Sequence, residues 1–330
     1  MRLKLVPSDT NWDFFRYATL TFGASAVAVV LALVAFFVFG LNFGIDFKGG
    51  TTIRTESTQA VKVGEYRAAL APLGLGDVAI NQVFDPSFGP DRNVKEIRIE
   101  AQEGHESATP ATLEKVAEAL KAIDPGLKAP AGQTLPFQSV ESVGPKVSGE
   151  LIQSAIESVV LAIAAVLIYI WLRYEWQFAL GAVAALIHDV ALTIGIFALF
   201  QIPFDLAIIA ALLTIVGYSL NDTVVVFDRL RENLRKYKKM ALREVMNLSV
   251  NETLSRTVMT SFTTLIALIA LLVLGGDVIR GFVFAMTWGI IVGTYSSVFV
   301  AKNIVLFLGV KRDWSKPDKT GGTQFSNTNG

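Results

Sequence analysis

Asp222 stands in the run Gly217-Tyr218-Ser219-Leu220-Asn221-Asp222-Thr223, directly after the apolar stretch Leu206 to Val216. Placing an acid near the centre of a bilayer on a membrane-length helix costs about 2.5–3.5 kcal/mol, so such a group is expected to be used. The chemistry open to a lone carboxylate there is to bind and release a proton. On a helix Tyr218 lies one turn above Asp222 and Ser219 beside it, and with Asn221 they give the acid a polar surround.

A second constellation is Leu254-Ser255-Arg256-Thr257-Val258-Met259-Thr260. Asp222 lies roughly 25 Å down an ideal helix from Asp205, and Arg256 roughly 28 Å down one from Gly275-Gly276. Consecutive antiparallel spans would hold both at nearly one depth, so an Asp222–Arg256 pair is geometrically available. Thr260, Thr263 and Thr264 continue up the face of Arg256, a stripe of hydroxyls suited to passing a proton. The alternative for Arg256 is snorkelling to the headgroups. His188-Asp189 falls near mid-membrane in another span. It serves either as interhelical glue, the favoured reading, or as a further step of a proton path.

Other chemistries are excluded by what is missing. The chain has no Cys, hence no disulfide, thiolate nucleophile or Cys-based metal site. Neither G-x-S-x-G nor H-E-x-x-H occurs, no G-x-G-D surrounds Asp222, and the only histidines are His105 and His188. No metal and no cofactor other than protons is expected. Gly44-Ile45-Asp46-Phe47-Lys48-Gly49-Gly50-Thr51 is a near miss to a phosphate-binding loop, but Gly50 stands where Lys is needed. Those glycines suit a tight exit turn instead. Formal net charge is zero, so no field points to nucleic acid.

The elements that must position these residues are membrane spans. The chain has 330 residues, 52% of them hydrophobic, with mean hydropathy +0.49. About 20 apolar residues cross a bilayer, and six such runs are read at 18–41, 152–172, 177–200, 204–227, 257–275 and 282–308. The first is too long for a signal-peptide core and is read as retained. Basic residues gather in the tail 1–17 (Arg2, Lys4, Arg16), at Arg173, in the loop 228–256 and in the tail 309–330 (Lys311, Arg312, Lys316, Lys319). With six spans these fall on one side, which the positive-inside rule makes cytoplasmic for both termini. Residues 42–150 hold 15 acidic against 11 basic residues and face outward. Trp12, Phe14, Phe15 and Tyr17 are expected as an interfacial anchor, and the stripe Leu230, Leu234 and Tyr237 as a helix face along the headgroups. Ala285, Gly289, Gly293, Ser297 and Ala301, four residues apart, predict close helix packing.

Within 42–150 the predicted elements are strands at Thr51–Thr55, Val78–Phe84, Val94–Glu100 and Phe137–Val143, with helices at Glu65–Leu73 and Leu113–Ile123. Thr109 or Thr112 caps the second helix. The order β-α-β-β-α-β is the ferredoxin-like one, expected here as a docking or substrate-gripping head or a structural cap. Gly144-Pro145 and Gly149, just before span 2, are either a hinge or a plain connector. The tail 313–330 is read as disordered.

Several stretches together resemble the SecF members of the SecD/SecF family, within the RND superfamily. They are Gly44 to Gly50, Val143 to Leu151, His188-Asp189, Val216 to Asn233, Thr253 to Thr257 and Gly293 to Ser297, in family order. Leu274 departs from the pattern, where an aromatic is expected. The resemblance implies an α-helical polytopic membrane protein, a six-span RND-type half bundle with one α+β ferredoxin-like periplasmic domain, in the bacterial inner membrane. It implies SecD as partner, the SecYEG channel beside it with YajC and YidC as further associates, and exported unfolded polypeptide as cargo. It also implies that the proton motive force drives the work, with Asp222 and Arg256 on the proton path and a further carboxylate in SecD. Two alternatives stand: half of a small-molecule RND exporter, which should carry a second six-span half and larger external domains, and a non-conducting scaffold.

Overall fold

The computed structural model describes residues 10–85, 88, 92–101 and 108–310. Arg2, Lys4, Pro86, His105 and the tail from 311 onward, with its basic residues and expected disorder, lie outside them. In chain order the elements are α1 (Ala18–Phe39), α2 (Ile45–Lys48), β1 (Gly50–Ser57), α3 (Val63–Leu70), β2 (Val78–Val83), β3 (Asn93–Glu100), α4 (Pro110–Ile123), β4 (Ser139–Val143), α5 (Pro145–Arg173), α6 (Trp176–Phe200), α7 (Leu206–Lys236), α8 (Leu242–Leu274), α9 (Asp277–Phe299) and α10 (Ala301–Leu308). Six helical stretches, α1, α5, α6, α7, α8 and α9 with α10, are long and apolar enough to cross a membrane.

Burial divides the six. Half or nearly half of α6, α7 and α9–α10 is enclosed, while α1, α5 and α8 present mostly exposed apolar side chains. The stripe Ala285, Gly289, Gly293, Ser297 and Ala301 is buried throughout. At Gly289 a β-carbon would collide with the Ile215 side chain, so glycine lets α9 close on α7.

The head is a four-stranded antiparallel sheet in the order β2-β3-β1-β4, with α3 and α4 on one face. Alternation along the strands turns Ile53, Ile80, Ile97 and Ile99 onto Tyr66, Leu70, Val116, Leu120 and Phe137. Thr109 caps α4 through the Thr112 N–H at 3.2 Å, with Pro110 at the first turn. The opposite sheet face carries Arg54, Glu96 and Arg98, joined at 3.0 and 2.8 Å. With Asp205, Asp277 and Arg280 from the membrane helices, it lines a cleft of about 570 Å³.

Three expectations need correction. The segment 228–256, expected as a basic loop helical in part, is helical except at 237–241, because α7 runs on to Lys236 and α8 begins at Leu242. Its charges stud the outer faces of helical extensions, and Leu230 and Leu234 are buried with Phe227, Val245 and Met246 rather than lying along headgroups. The aromatic anchor is divided: Phe15 is buried, whereas Trp12 and Tyr17 are exposed. Asn251 and Asn247 of α8 accept from the backbone N–H groups of Trp12 and Phe14, which pins this segment to the bundle. Finally, the sixth span breaks at Val300 into α9 and α10.

Candidate functional site

The Gly-rich turn after α1 builds the joint between head and bundle. Phe204 N–H donates to Asn42 O at 2.8 Å and Gly44 N–H to Phe204 O at 2.9 Å. Asp46 Oδ2 accepts from Leu206 N–H at 3.1 Å, and Asp205 from Ile208 N–H at 3.2 Å, so two carboxylates cap the start of α7. Gly49 (φ 74°) and Gly50 (φ 124°) lie in the left-handed range, and a β-carbon on Gly50 would strike Ile99 O. Opposite them, Gly144 is the N-cap of α5 and Pro145 its first residue. Gly149 lies inside that helix, so the region expected as a hinge narrows to the link between β4 and α5.

At mid-bundle Asp189 of α6 joins three helices. Its Oδ2 accepts from Ser219 of α7 at 2.6 Å and from Ser296 of α9 at 2.8 Å, and its Oδ1 lies 2.9 Å from His188 Nδ1. His188 also stacks on Tyr295, with centroids 6.2 Å apart. Both members of the pair are buried, and these bonds satisfy the acid as an interhelical fastening does.

Asp222 is different. It is 3% exposed, and its Oδ2 has no hydrogen-bond partner. The polar surround expected from Tyr218 and Ser219 is not made: Ser219 donates to Asp189, and the buried Tyr218 hydroxyl is unpartnered. Asn221 faces outward. Two cations act on Asp222 through space, Arg256 and Lys302, yet neither closes to ion-pair distance. Asp222 and Arg256 thus act on each other without closing into a direct ion pair in this chain. Arg256 is on the exposed face of α8, while the next residue, Thr257, is buried with its hydroxyl unpartnered. One helical residue is about 100° of rotation, and that step separates the two faces. Thr260 and Thr264 donate back to Arg256 O and Thr260 O, at 2.8 and 2.9 Å, along the same outward side.

Lys302 was missed. It is 1% exposed, with an unpartnered Nζ. A lysine inside the run 282–308 was signal enough, but the small-residue stripe dominated the reading of that span. No group of three or more His, Asp or Glu able to hold a metal occurs among the described residues.

Six membrane-length helices with one four-stranded ferredoxin-like head define a polytopic membrane protein. A family model, "Protein export membrane protein SecD/SecF, C-terminal", matches residues 127–311, and "SecD/SecF GG Motif" matches 34–61. The chain is 65% identical to "Protein translocase subunit SecF" of Cereibacter sphaeroides over 99% of its length and 98% of that protein's. It is 39% identical to the protein of that name from Rickettsia felis, over 92% and 94%. A crystal structure of SecDF from Thermus thermophilus overlays with TM-score 0.78 at 34% identity, and one of SecDF in a super-membrane-facing form with 0.66. Each overlay covers 93% of this chain but 40% of the SecDF chain. The chain belongs to the SecF family of protein translocase subunits.

Proposed function

We propose that this chain works with a SecD-type partner beside the Sec translocon, and that proton uptake and release at Asp222 helps move exported polypeptide across the bacterial inner membrane. The observation that carries this reading is the unpartnered oxygen of a buried Asp222, with the Arg256 guanidinium acting on it from an exposed flank. A buried acid without its full set of bonds is favourably placed to take up a proton.

The partner's place is supported by α7 itself. Ala210, Thr214, Gly217 and Asn221 are all exposed on one face of this otherwise enclosed helix. Small and polar residues in that spacing suit a second helix against Asp222, with Arg256 at the rim. The relatives known as SecDF carry both halves in one chain, which supports a SecD-type partner here. The distribution of basic residues supports an outward head with both termini cytoplasmic.

Moving one charge through about 150 mV supplies ~3.5 kcal/mol. Inverting a two-state balance from 1:99 to 99:1 takes about 5.5 kcal/mol. One proton with a pH gradient, or two protons, meets that demand. The link at Gly144 is then where head and bundle shift relative to each other.

The test is Asp222→Asn in vesicles holding the complex with its partner and the channel. Export should lose its stimulation by an imposed proton gradient while the partner still co-purifies. Stimulation equal to the parent's removes the proton reading and leaves a scaffold.

A further inference from the structure

Lys302 plays no part in the reading above, and its position is unusual for a lysine near the end of a span. Such side chains ordinarily snorkel toward headgroups. This one is 1% exposed, and its Nζ lies inside the bundle without a hydrogen-bond partner. Packing holds it there. Ala301 and Val305 lie against Gly181 of α6, and Val300, Ala301 and Val305 belong to the apolar cluster around Phe178 and Phe227.

An uncompensated ammonium in such surroundings is strongly unfavourable. Among the described residues one charged group acts on it, Asp222. Among the described residues, the charges acting on Asp222 are Arg256 and Lys302. Of the helices packed against α10, α6 contributes His188 and Asp189, which are bonded to each other and to Ser219 and Ser296, and neither acts on Lys302. From α8, Arg256 acts on Asp222 rather than on Lys302, and α9 contributes Tyr295, stacked on His188.

We propose that Lys302 is the counter-charge of Asp222 inside this chain, a positioning residue that sets how readily the acid takes up its proton. The inference rests on Asp222 exchanging a proton. While Asp222 is ionised, the two buried charges offset each other through space. Once the acid is neutral, Lys302 is left as a lone ammonium in apolar packing. Protonation thus moves the electrostatic penalty from α7 to α10, and a repacking that gives Lys302 an acceptor relieves it. Arg256 carries no such penalty, because it stands on the open face.

Modification of Asp222 by a hydrophobic carbodiimide, which reacts with protonated carboxyl groups, reads this directly when followed by mass spectrometry across pH 5–9 on the full chain in lipid nanodiscs. Lys302→Gln should move the pH of half-modification upward by about one unit, a tenfold change in proton affinity. Lys302→Arg should hold it near the parent value. A titration in the parent that Lys302→Gln leaves in place overturns the role of Lys302 and keeps Asp222 as the proton site. No titrating modification of Asp222 in the parent overturns both. Thermal stability gives a second measurement, independent of proton exchange. Asp222→Asn should lower Tm by stranding the ammonium, and adding Lys302→Met should restore it. Simple additivity of the two substitutions counts against the pairing.

Discussion

Ser219 Oγ donates a 2.6 Å hydrogen bond to Asp189 Oδ2, three residues before Asp222 on the same helix. A hydroxyl one turn before the buried Asp222 is thus committed elsewhere. The bond fixes the rotation of α7 against α6, and Ser296 brings α9 to the same oxygen. Asp189→Ala strands two serines and His188 in the interior, and the expected loss is about 3–5 kcal/mol. Asp189→Asn keeps the shape and some of the bonds, at about 1–2 kcal/mol. Thermal unfolding of the purified chain should rank parent, Asn and Ala in that order. Equal losses would show that the acid, rather than its bonding, matters.

Arg256 lies on the open face of α8, so in the isolated chain it has little to hold. Arg256→Gln should shift stability by no more than about 0.5 kcal/mol, as substitutions on open surfaces do. The same variant should lose proton-stimulated export in the assembled complex. A fall of several degrees in Tm for the isolated chain would place the guanidinium inside the bundle instead.

The head was legible because its chemistry is local. Period-two strands, the Thr109 cap and the glycine at 74 mark each element within a few residues, and the β-α-β-β-α-β order selects the sheet order found. That Asp222 sits on a membrane-length helix was legible from the apolar run before it. Azimuth was not: which face of α8 turns inward depends on what α7, α9 and α10 present to it, and one residue of rotation separates Arg256 from the buried Thr257. The extensions of α7 and α8 were legible only in part, through the stripe Leu230, Leu234 and Tyr237, because charges studding a helix facing water resemble the charges of a loop. Their buried side, Leu230, Leu234, Val245 and Met246, becomes visible only when the two are packed together.

Gly50 follows a second left-handed glycine, and its backbone lies against Ile99 O. Gly50→Ala combines strain at φ 124° with a collision against main chain that has no rotamer to yield. A loss of about 1–3 kcal/mol follows for the joint. Limited proteolysis should then cut between the head and α5 faster than in the parent, with bundle-only readouts such as partner capture unchanged.

The pH response of the head turns on Lys95, which is 1% exposed and sits 4.3 Å over the Tyr66 ring. Tyr66 donates to Asp124 at 2.6 Å, and Ser57 fills the other oxygen at 2.6 Å. Burial pushes the Lys95 ammonium below its ordinary value of 10.5, against the pull of Asp124 and Glu65. Burial and the bond to Asp124 push the Tyr66 phenol above its ordinary 10.0. From the lowered Lys95 value up to 10.5 the unfolded chain holds more protons than the folded one, so stability rises with pH there. Above 10.0 the unfolded chain sheds the Tyr66 proton first, and that contribution falls as pH rises. Head stability should therefore climb as pH approaches 10 from below and turn over beyond it. None of the five Trp residues lies within 42–150, so the emission that Phe137→Trp adds over the parent reports on the head. In that background Lys95→Met should raise stability at pH 7 and flatten the climb. A climb that survives Lys95→Met would assign it to another group.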